Sequence, residues 1–307
     1  MSFIALTTSG SALAPGRPRI RSGFWSTFVR FVLLTALATL VAACSTTDAL
    51  RSTAVPVVPS SASGRYAAIV VDANTGRVLH ADQADSRRYP ASLTKMMTVF
   101  MLLEAVQQGR LDLASELPVS SYAASRPPTK LFFKSGQSIP VDTAIRALVT
   151  KSANDVATAV AEHLGGSEPR FAAMMTARAR QLGMGSTVFR NASGLPDAGQ
   201  VTTARDMATL SLALRRQFPA QYGYFGRTSF SFRGKTIKGH NKVLETVRGA
   251  DGIKTGYTRA SGFNLATSVR RDGKAIVAVV MGGDSAGQRD AMMAQLIEAV
   301  LPKASRR

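Results

Sequence analysis

Cysteine and histidine are scarce in this chain of 307 residues, which contains one cysteine and three histidines. A single cysteine excludes a disulfide scaffold and a cysteine-rich zinc site. The histidines stand at positions 80, 163 and 240, and such wide spacing disfavours a histidine-based metal site. We therefore expect no metal and no other cofactor.

Acidic residues are half as frequent as basic ones, with 19 Asp and Glu against 38 Lys and Arg, so the net charge is +19. Apolar residues make up 45% of the chain, which excludes intrinsic disorder and gives one large domain, or two closely packed ones, an ample core. Basic clusters interleaved with aromatic residues are absent, so no nucleic-acid partner is expected. The charge is interpreted as a basic surface suited to an anionic cell envelope.

The first 30 residues contain four arginines and no acidic residue, and an uncharged run of 13 residues follows at positions 31–43. This run is too short to span a bilayer as a helix, which takes about 20 residues. It is typical of the apolar core of a secretory signal. Residues 1–43, which include the sole tryptophan, Trp25, are therefore predicted to be an export signal.

The only cysteine, Cys44, follows directly on this run, and the sequence from Val41 to Cys44 resembles the bacterial lipobox. Lipidation of Cys44 would anchor the mature chain to a membrane; the alternative is an ordinary signal with a chance cysteine. Residues 44–64 are rich in Ser, Thr and Pro and are predicted to form a solvated tether. We expect an envelope protein facing the periplasm, on the outer membrane in a Gram-negative cell because Ser45 follows the cysteine.

Residue patterns predict a mixed α/β fold, with strands near both ends of the mature chain and helices between them. Strands are predicted over residues 66–71, 77–81, 229–235, 251–258, 263–269 and 274–281. Helices are predicted over residues 92–108, 141–150, 155–164, 168–182, 203–216 and 286–300. This order favours one antiparallel sheet completed by both termini, flanked by helices and carrying an inserted helical subdomain.

A serine and a lysine three residues apart, Ser92 and Lys95, open the almost wholly apolar helix 92–108. They share a helix face, and burial should lower the pKa of the lysine. A neutral amine beside a hydroxyl can take its proton and make the serine a nucleophile. The alternative is an ordinary N-cap serine with a lysine that extends to solvent.

Two further short motifs carry polar groups in suitable places. Ser152 and Asn154 stand between two predicted helices, where they could relay a proton and hold a peptide, or could simply form an N-cap turn. Lys254, Thr255 and Gly256 lie in a predicted strand, where they could bind an anion and pair with an added peptide strand. The alternative for this third motif is a surface strand with a solvated lysine.

Taken together and in this order, the three motifs form the signature of penicillin-recognising serine enzymes. Their wider context resembles the D-alanyl-D-alanine carboxypeptidase family, the low-molecular-mass penicillin-binding proteins of serine peptidase family S11. The resemblance covers roughly residues 65–300 and implies the β-lactamase/DD-peptidase-like fold. It rests on residues 90–98, 151–155, 189–195, 203–208, 251–258, 281–283 and Arg289.

The resemblance implies an acyl-enzyme mechanism on peptidoglycan stem peptides, and acylation by β-lactams as inhibitors. Ser92 would attack the bond between two D-alanines with Lys95 as the general base. Ser152 and Lys254 would relay the proton towards the leaving nitrogen, while Asn154 would orient the acyl chain.

Four more residues are implied in substrate binding. Thr255 and Gly256 would line the site beside Lys254, and Arg289 would support binding of the substrate's free carboxylate. The backbone N–H group of Tyr257, with that of Ser92, would form the oxyanion hole.

The sequence also departs from parts of the family. The catalytic domain is predicted over residues 65–303, without the C-terminal β domain that some members have, so the lipid at Cys44 would provide the anchor. His240 stands where some members carry an arginine, which puts one polar substrate contact in doubt. Tyr257 replaces a histidine found in others.

Three other functions remain open from the sequence. A DD-endopeptidase, which cleaves peptidoglycan cross-links, would use the same residues. A class A-like β-lactamase needs a deacylating glutamate between the second and third motifs, and the loop at residues 191–200 has none. An inactive peptidoglycan-binding lipoprotein would label slowly with penicillin, yet all the motif residues are retained.

Overall fold

A computed structural model describes residues 64–307. The predicted export signal, Cys44 and the tether as far as residue 63 lie outside these described residues, so the predictions made for them stay predictions.

The central element is an antiparallel sheet of five strands in the order β2-β1-β9-β8-β7. Its strands are β1 (Ala67–Asp72), β2 (Val78–Asp82), β7 (Ala250–Thr258), β8 (Gly262–Arg271) and β9 (Lys274–Gly283). The first strand pairs with the last one, so both ends of the described chain complete the same sheet, as the sequence predicts. Strand β7 lies at one edge and pairs only with β8 among the described residues.

Two smaller sheets and the helices make up the rest of the fold. The small sheets pair β3 (Glu116–Pro118) with β4 (Ser138–Pro140), and β5 (Ser229–Phe232) with β6 (Lys235–Lys238). The helices are α1 (Lys95–Gln107), α2 (Ser121–Ser125), α3 (Val141–Arg146), α4 (Asn154–Gly165), α5 (Glu168–Gln181), α6 (Ala204–Gln217), α7 (Val243–Thr246) and α8 (Ala286–Val300).

The main sheet separates two apolar cores, because successive residues of a strand point to opposite faces. On β1, Ile69 belongs to the larger core, together with α1, α4 and α6. Its neighbours Ala68 and Val70 belong to a smaller core with α8. Both faces are therefore covered by helices, which explains why β1 is apolar along nearly its whole length and entirely buried.

Helix α1 runs through the larger core. Its residues are buried almost without interruption from Lys95 to Leu103, which confirms the prediction from a sequence that is apolar nearly all round. The residues that directly precede this helix, Ala91–Thr94, form a short 3₁₀ turn beside the main sheet.

One predicted strand, residues 229–235, is wrong in extent. The chain turns back at Arg233 and Gly234, both with φ above +45°, so the segment forms the β5–β6 hairpin. A second refinement concerns helix 141–150: its last part, Ala147–Lys151, is a π turn rather than α-helix. The small elements β3, β4, α2 and α7 were not predicted, because three to five residues give no detectable periodicity.

None of the helices in residues 64–307 combines the length and the apolar character needed to cross a bilayer. The same residues contain no group of three or more His, Cys, Asp or Glu side chains placed to hold a metal ion.

Candidate active site

The 3₁₀ turn that carries Ser92 is held from two sides. The side-chain amide of Asn264, on β8, donates to the carbonyl oxygens of Tyr89 (3.0 Å) and Pro90 (3.1 Å). Gly194 lies so close that a Cβ atom there would stand 1.8 Å from the Ala91 carbonyl oxygen. Only glycine fits this position, which also has φ +85°. The nucleophile turn is therefore fixed by the sheet and by the loop at residues 191–200.

Lys95 is fully buried, and its ammonium nitrogen faces three oxygen atoms. Nζ lies 2.7 Å from Asn154 Oδ1, 2.5 Å from the Ser193 carbonyl oxygen and 3.3 Å from Ser92 Oγ. Burial, followed by the charge of nearby Lys254, holds the pKa of Lys95 well below its ordinary value. The predicted alternative, in which the lysine extends to solvent, is wrong.

The three contacts match the valence of a neutral amine. Its two N–H bonds can be donated to the Asn154 amide oxygen and the Ser193 carbonyl, both of which only accept. The third contact joins Nζ to Ser92 Oγ, with Nζ as the donor while it carries a third proton. Once burial has removed that proton, the lone pair of Nζ can accept the proton of the Ser92 hydroxyl. The geometry therefore allows Lys95 to act as a base towards Ser92.

The second motif follows the π turn at the end of α3. Ser152 has left-handed backbone geometry (φ 64°), and its buried Oγ has no hydrogen-bond partner in the described part of the chain. Asn154 opens α4 and is held by the preceding loop: its backbone N–H donates to the Thr129 carbonyl (2.7 Å), and its Nδ2 to that of Pro127 (2.9 Å). The second motif thus provides an acceptor for Lys95, the Asn154 Oδ1 atom, and leaves the Ser152 hydroxyl without a hydrogen-bond partner in the described residues.

The third motif lies on the edge strand β7, directly against the nucleophile turn. A Cβ atom at Gly256 would stand 3.0 Å from the Ser92 backbone nitrogen, so glycine lets the strand and the turn approach closely. Lys254 and Thr255 are buried, at 3% and 8% exposure. Tyr257 is 55% exposed, and its ring stacks on that of Phe263 with 4.2 Å between centroids.

Lys254 is the second buried lysine of the site. Burial, and then the charge of Arg289, lower the pKa of Lys254 to about 7. Its Nζ donates to the Thr255 carbonyl oxygen at 2.9 Å, and the described residues show no hydrogen bond between Lys254 and Ser152. The predicted relay between these two side chains is therefore not connected in this structure by a direct hydrogen bond.

Arg289 lies in the first turn of α8 and is 3% exposed. Its Nε and Nη2 donate to Asp290 Oδ1 (2.9 and 2.7 Å), and its Nη1 donates to the Asn264 carbonyl (3.2 Å). The guanidinium is thus a buried, paired cation rather than a solvated surface arginine. It acts on the site through its charge near Lys254 and through Asn264, which holds the nucleophile turn.

His240 also faces the cationic side of the site. Burial, followed by the charges of Lys254 and Lys151, lowers the pKa of His240. The ring is therefore largely neutral at pH 7, unlike the arginine of some family members.

A cavity of about 190 Å³ opens beside the nucleophile turn. It is bounded by Ala91, by the end of β7 at Thr258, and by the loop at residues 194–200. It contributes apolar space next to Ser92, in addition to the cleft between β7 and the second motif.

Three supporting residues were not identified from the sequence. Asn264 ties the nucleophile turn to β8, and Ser193 contributes the carbonyl that faces Lys95. Buried Glu168 accepts from the Ala192 N–H (3.1 Å) and so holds the same loop. Each acts through tertiary contacts with distant residues, and no local sequence signal marks such contacts.

With this geometry established, the comparisons with known proteins identify the family. Residues 54–285 match the family model described as D-alanyl-D-alanine carboxypeptidase. The chain belongs to the D-alanyl-D-alanine carboxypeptidase family. It is accordingly a serine-type D-alanyl-D-alanine carboxypeptidase, which confirms the predicted family, fold and enzyme class.

Individual relatives agree with this assignment. The D-alanyl-D-alanine carboxypeptidase DacA of Escherichia coli K12 is 34% identical over 276 residues, which cover 87% of this chain and 68% of that protein. The D-alanyl-D-alanine endopeptidase of the same strain is 31% identical over 81% of this chain and 82% of its own length. Penicillin-binding protein D2 of Listeria monocytogenes, solved in an ampicillin-bound form, is 30% identical, with TM-score 0.67 over 76% of this chain and 95% of that one.

Proposed function

We propose that Ser92 is the nucleophile of this carboxypeptidase and that its substrate is the D-Ala-D-Ala end of a peptidoglycan stem peptide. The observation that supports this most directly is the environment of Lys95, a fully buried amine with two carbonyl-type acceptors and the Ser92 hydroxyl within hydrogen-bond distance of its Nζ. Ser92 Oγ attacks the carbonyl carbon of the penultimate D-alanine, and its proton passes to Lys95 Nζ.

The intermediate then collapses as the C–N bond breaks and the leaving nitrogen takes a proton. Ser152, whose buried hydroxyl is unpartnered in the described residues, gives its proton to the nitrogen and takes back the proton that Lys95 received from Ser92, so Lys95 becomes neutral again. The terminal D-alanine departs, leaving an ester on Ser92, and water hydrolyses that ester. The backbone N–H groups of Ser92 and Tyr257 stabilise the oxyanion, a contribution of about 10²–10³ in rate for one donor.

The substrate's carboxylate binds at the cationic end of β7. Thr255 offers a hydroxyl and Lys254 a charge, and Arg289 adds to the positive potential from beneath. β-Lactams carry the same carboxylate, so we propose that they acylate Ser92, as the ampicillin-bound form of the Listeria protein suggests.

The direct test is incubation of the protein with a pentapeptide ending in D-Ala-D-Ala, followed by mass spectrometry. Release of one D-alanine supports the proposal, and an unchanged pentapeptide contradicts it. The endopeptidase relative of similar length gives a reason to test cross-linked muropeptide dimers in parallel. Cleavage of dimers with an intact pentapeptide would identify an endopeptidase instead.

Arg289→Ala should reduce kcat/KM on the free-acid pentapeptide by about 10- to 100-fold, because it removes a buried positive charge close to Lys254, at the end of β7 where the carboxylate would bind. A C-terminally amidated peptide should be affected much less. The substitution removes a charge that lowers the pKa of Lys254, so the pH midpoint assigned to Lys254 should also rise. Arg271→Ala, which breaks a remote ion pair with Glu298, is the control. Equal losses of kcat/KM on the free-acid and the amidated peptide would mean that Arg289 has no specific part in binding the carboxylate.

We also propose that Cys44 is lipidated and tethers the enzyme to the envelope, a proposal supported by the signal-like residues before it. Cys44→Ala should release the protein from membranes or leave its signal uncleaved. The intact mass of the wild-type protein should show a lipidated N-terminal cysteine, and tryptophan fluorescence should be absent because Trp25 is removed. An unmodified cysteine or a retained Trp25 would contradict this.

A further inference from the structure

Phe132 is the most exposed large hydrophobic side chain in residues 64–307, with 65% of its surface accessible. Its neighbours Leu131 and Phe133 are buried, at 7% and 5% exposure. Phe132 also has φ +63°, a left-handed geometry that costs free energy for a bulky residue. No apolar side chain of the described residues buries this ring, so packing in the fold does not explain why a phenylalanine stands at this strained, exposed position.

The residues beside the catalytic motif hold Phe132 in this outward position. The buried carboxylate of Asp155 accepts the backbone N–H groups of Leu131 (3.1 and 3.0 Å) and Phe133 (3.4 Å). The adjacent Asn154 holds the same loop through Thr129. Phe132 is thus presented by a loop that is hydrogen-bonded to Asn154 and Asp155, the residues at the end of the second motif.

A second aromatic ring lies on helix α2, at the start of the same surface. Tyr122 is 44% exposed, and the Arg126 guanidinium lies over its ring at 4.0 Å. Lys130 joins the two rings: its Nζ donates to the Ala124 carbonyl of α2 (3.0 Å) and lies 5.4 Å from the centroid of Phe132. We call the four residues Tyr122, Arg126, Lys130 and Phe132 the aromatic rim.

We propose that the aromatic rim binds the peptidoglycan polymer beyond the peptide that is cleaved. This inference rests on the proposed substrate. Peptidoglycan offers a partner for each exposed group of the rim: sugar rings can lie on the exposed ring of Phe132, and neighbouring stem peptides carry carboxylates for Lys130. Arg126 is already ion-paired with Glu168 (3.9 Å), whereas Lys130 is in no ion pair among the described residues. A purely apolar partner would leave the charge of Lys130 unpaired. The rim would therefore favour polymeric substrate over a free pentapeptide.

The test measures binding to the polymer separately from turnover. Variants are made as full chains carrying Ser92→Ala, to prevent turnover, and Cys44→Ala, to prevent lipidation, and they are sedimented with purified peptidoglycan sacculi. Phe132→Asn removes the ring while placing at φ +63° a residue that tolerates this geometry, so folding should be preserved. Lys130→Glu reverses the charge at position 130. Met174→Gln, an exposed residue of α5, and Arg110→Glu, after α1, are the matched controls.

We expect Phe132→Asn to weaken binding to sacculi by about three- to ten-fold, the range of a single aromatic contact. Lys130→Glu should weaken it by a similar factor and reduce its dependence on salt. The controls should bind as the parent does. With Ser92 restored, turnover of a soluble pentapeptide by both rim variants should stay within about two-fold, as is usual for surface substitutions.

Unchanged binding of both rim variants to sacculi would overturn the proposal. So would an equal loss of soluble turnover, which would mean that the loop only supports Asn154. Vesicles of anionic phospholipid are the third arm: if the rim variants lose vesicle binding and keep sacculi binding, the rim is a membrane surface. Failure of the proposed substrate would instead appear as no pentapeptide turnover by the wild-type chain, a readout independent of rim binding.

Discussion

Replacing Ser92 by alanine should abolish covalent labelling by a fluorescent penicillin and reduce peptidase turnover by about 10⁴–10⁶-fold, the usual cost of removing a serine nucleophile. The substitution removes one oxygen atom from a partly exposed turn. The contacts that hold this turn come from Asn264 and reach backbone carbonyls, so they persist. The variant should therefore remain folded and should still bind penicillin without forming an ester.

Labelling is read on a gel, and folding by thermal unfolding of the same preparation. Ser86→Ala, an exposed serine that donates only to Gln83, is the control and should label as the wild type does. Mass spectrometry of the labelled wild-type protein should place the adduct on a peptide that contains Ser92. If Ser92→Ala were still labelled by the penicillin, another residue would have to be the nucleophile.

The parts of the site that could be predicted from sequence are those carried by short local patterns. The sequence predicts Ser92 and Lys95 on one face of a helix, and the structure brings Lys95 Nζ to 3.3 Å from Ser92 Oγ, although Ser92 lies in the 3₁₀ turn that precedes α1. Lys254 to Gly256 lie on one strand, as predicted. The burial of Lys95 followed from its apolar helix. The sequence also predicts one antiparallel sheet completed by both termini, and the pairing of β1 with β9 confirms this.

The remaining features depend on contacts between residues far apart in the chain. The Ser193 carbonyl faces Lys95 across 98 positions, and the Asn264 amide reaches Pro90 across 174. The missed turn at Arg233 shows a different cause: the β5–β6 hairpin has two strands of four residues, too short for an alternation pattern to separate them. Sequence patterns thus identified the three motifs, and the structure shows the contacts that orient their side chains.

Arg289 has a different environment from the one that direct binding of an anion requires. The resemblance implies a residue that supports binding of the substrate carboxylate, and an exposed guanidinium could bind that anion directly. In the structure the guanidinium is already paired with Asp290 and donates to the Asn264 carbonyl. Its role in carboxylate binding therefore stays a prediction, and any effect should pass through its charge near Lys254 and through its contact with Asn264.

Lys95→Arg should reduce the rate of acylation by penicillin by about 10³-fold or more, even though it preserves the positive charge that a lysine carries in water. A guanidinium does not lose its proton in a protein, so it has no lone pair to take the proton of Ser92. Lys95→Met, neutral and similar in volume, should be equally inactive. Loss of acylation in both variants would show that activity depends on the neutral amine and not on a cation or on packing alone.

The pH dependence separates the two buried lysines. Lys95 must be neutral to accept a proton, so acylation should fall as pH drops through its pKa, which burial and Lys254 hold well below the ordinary value. Lys254 has a pKa of about 7 and binds the carboxylate better when charged, so KM for free-acid substrates should rise as pH increases through about 7.

The measurement is a pH profile of acylation at saturating and at limiting penicillin, for the wild type and for Lys95→Arg. In the wild type, the acylation rate at saturating penicillin should fall with decreasing pH at the midpoint set by Lys95. The acylation rate at limiting penicillin should show a second midpoint, set by Lys254. Residual acylation in Lys95→Arg should lose the Lys95 midpoint. If the variant kept the wild-type midpoint, another group would have to remove the proton, and the neutral lysine would no longer be the base.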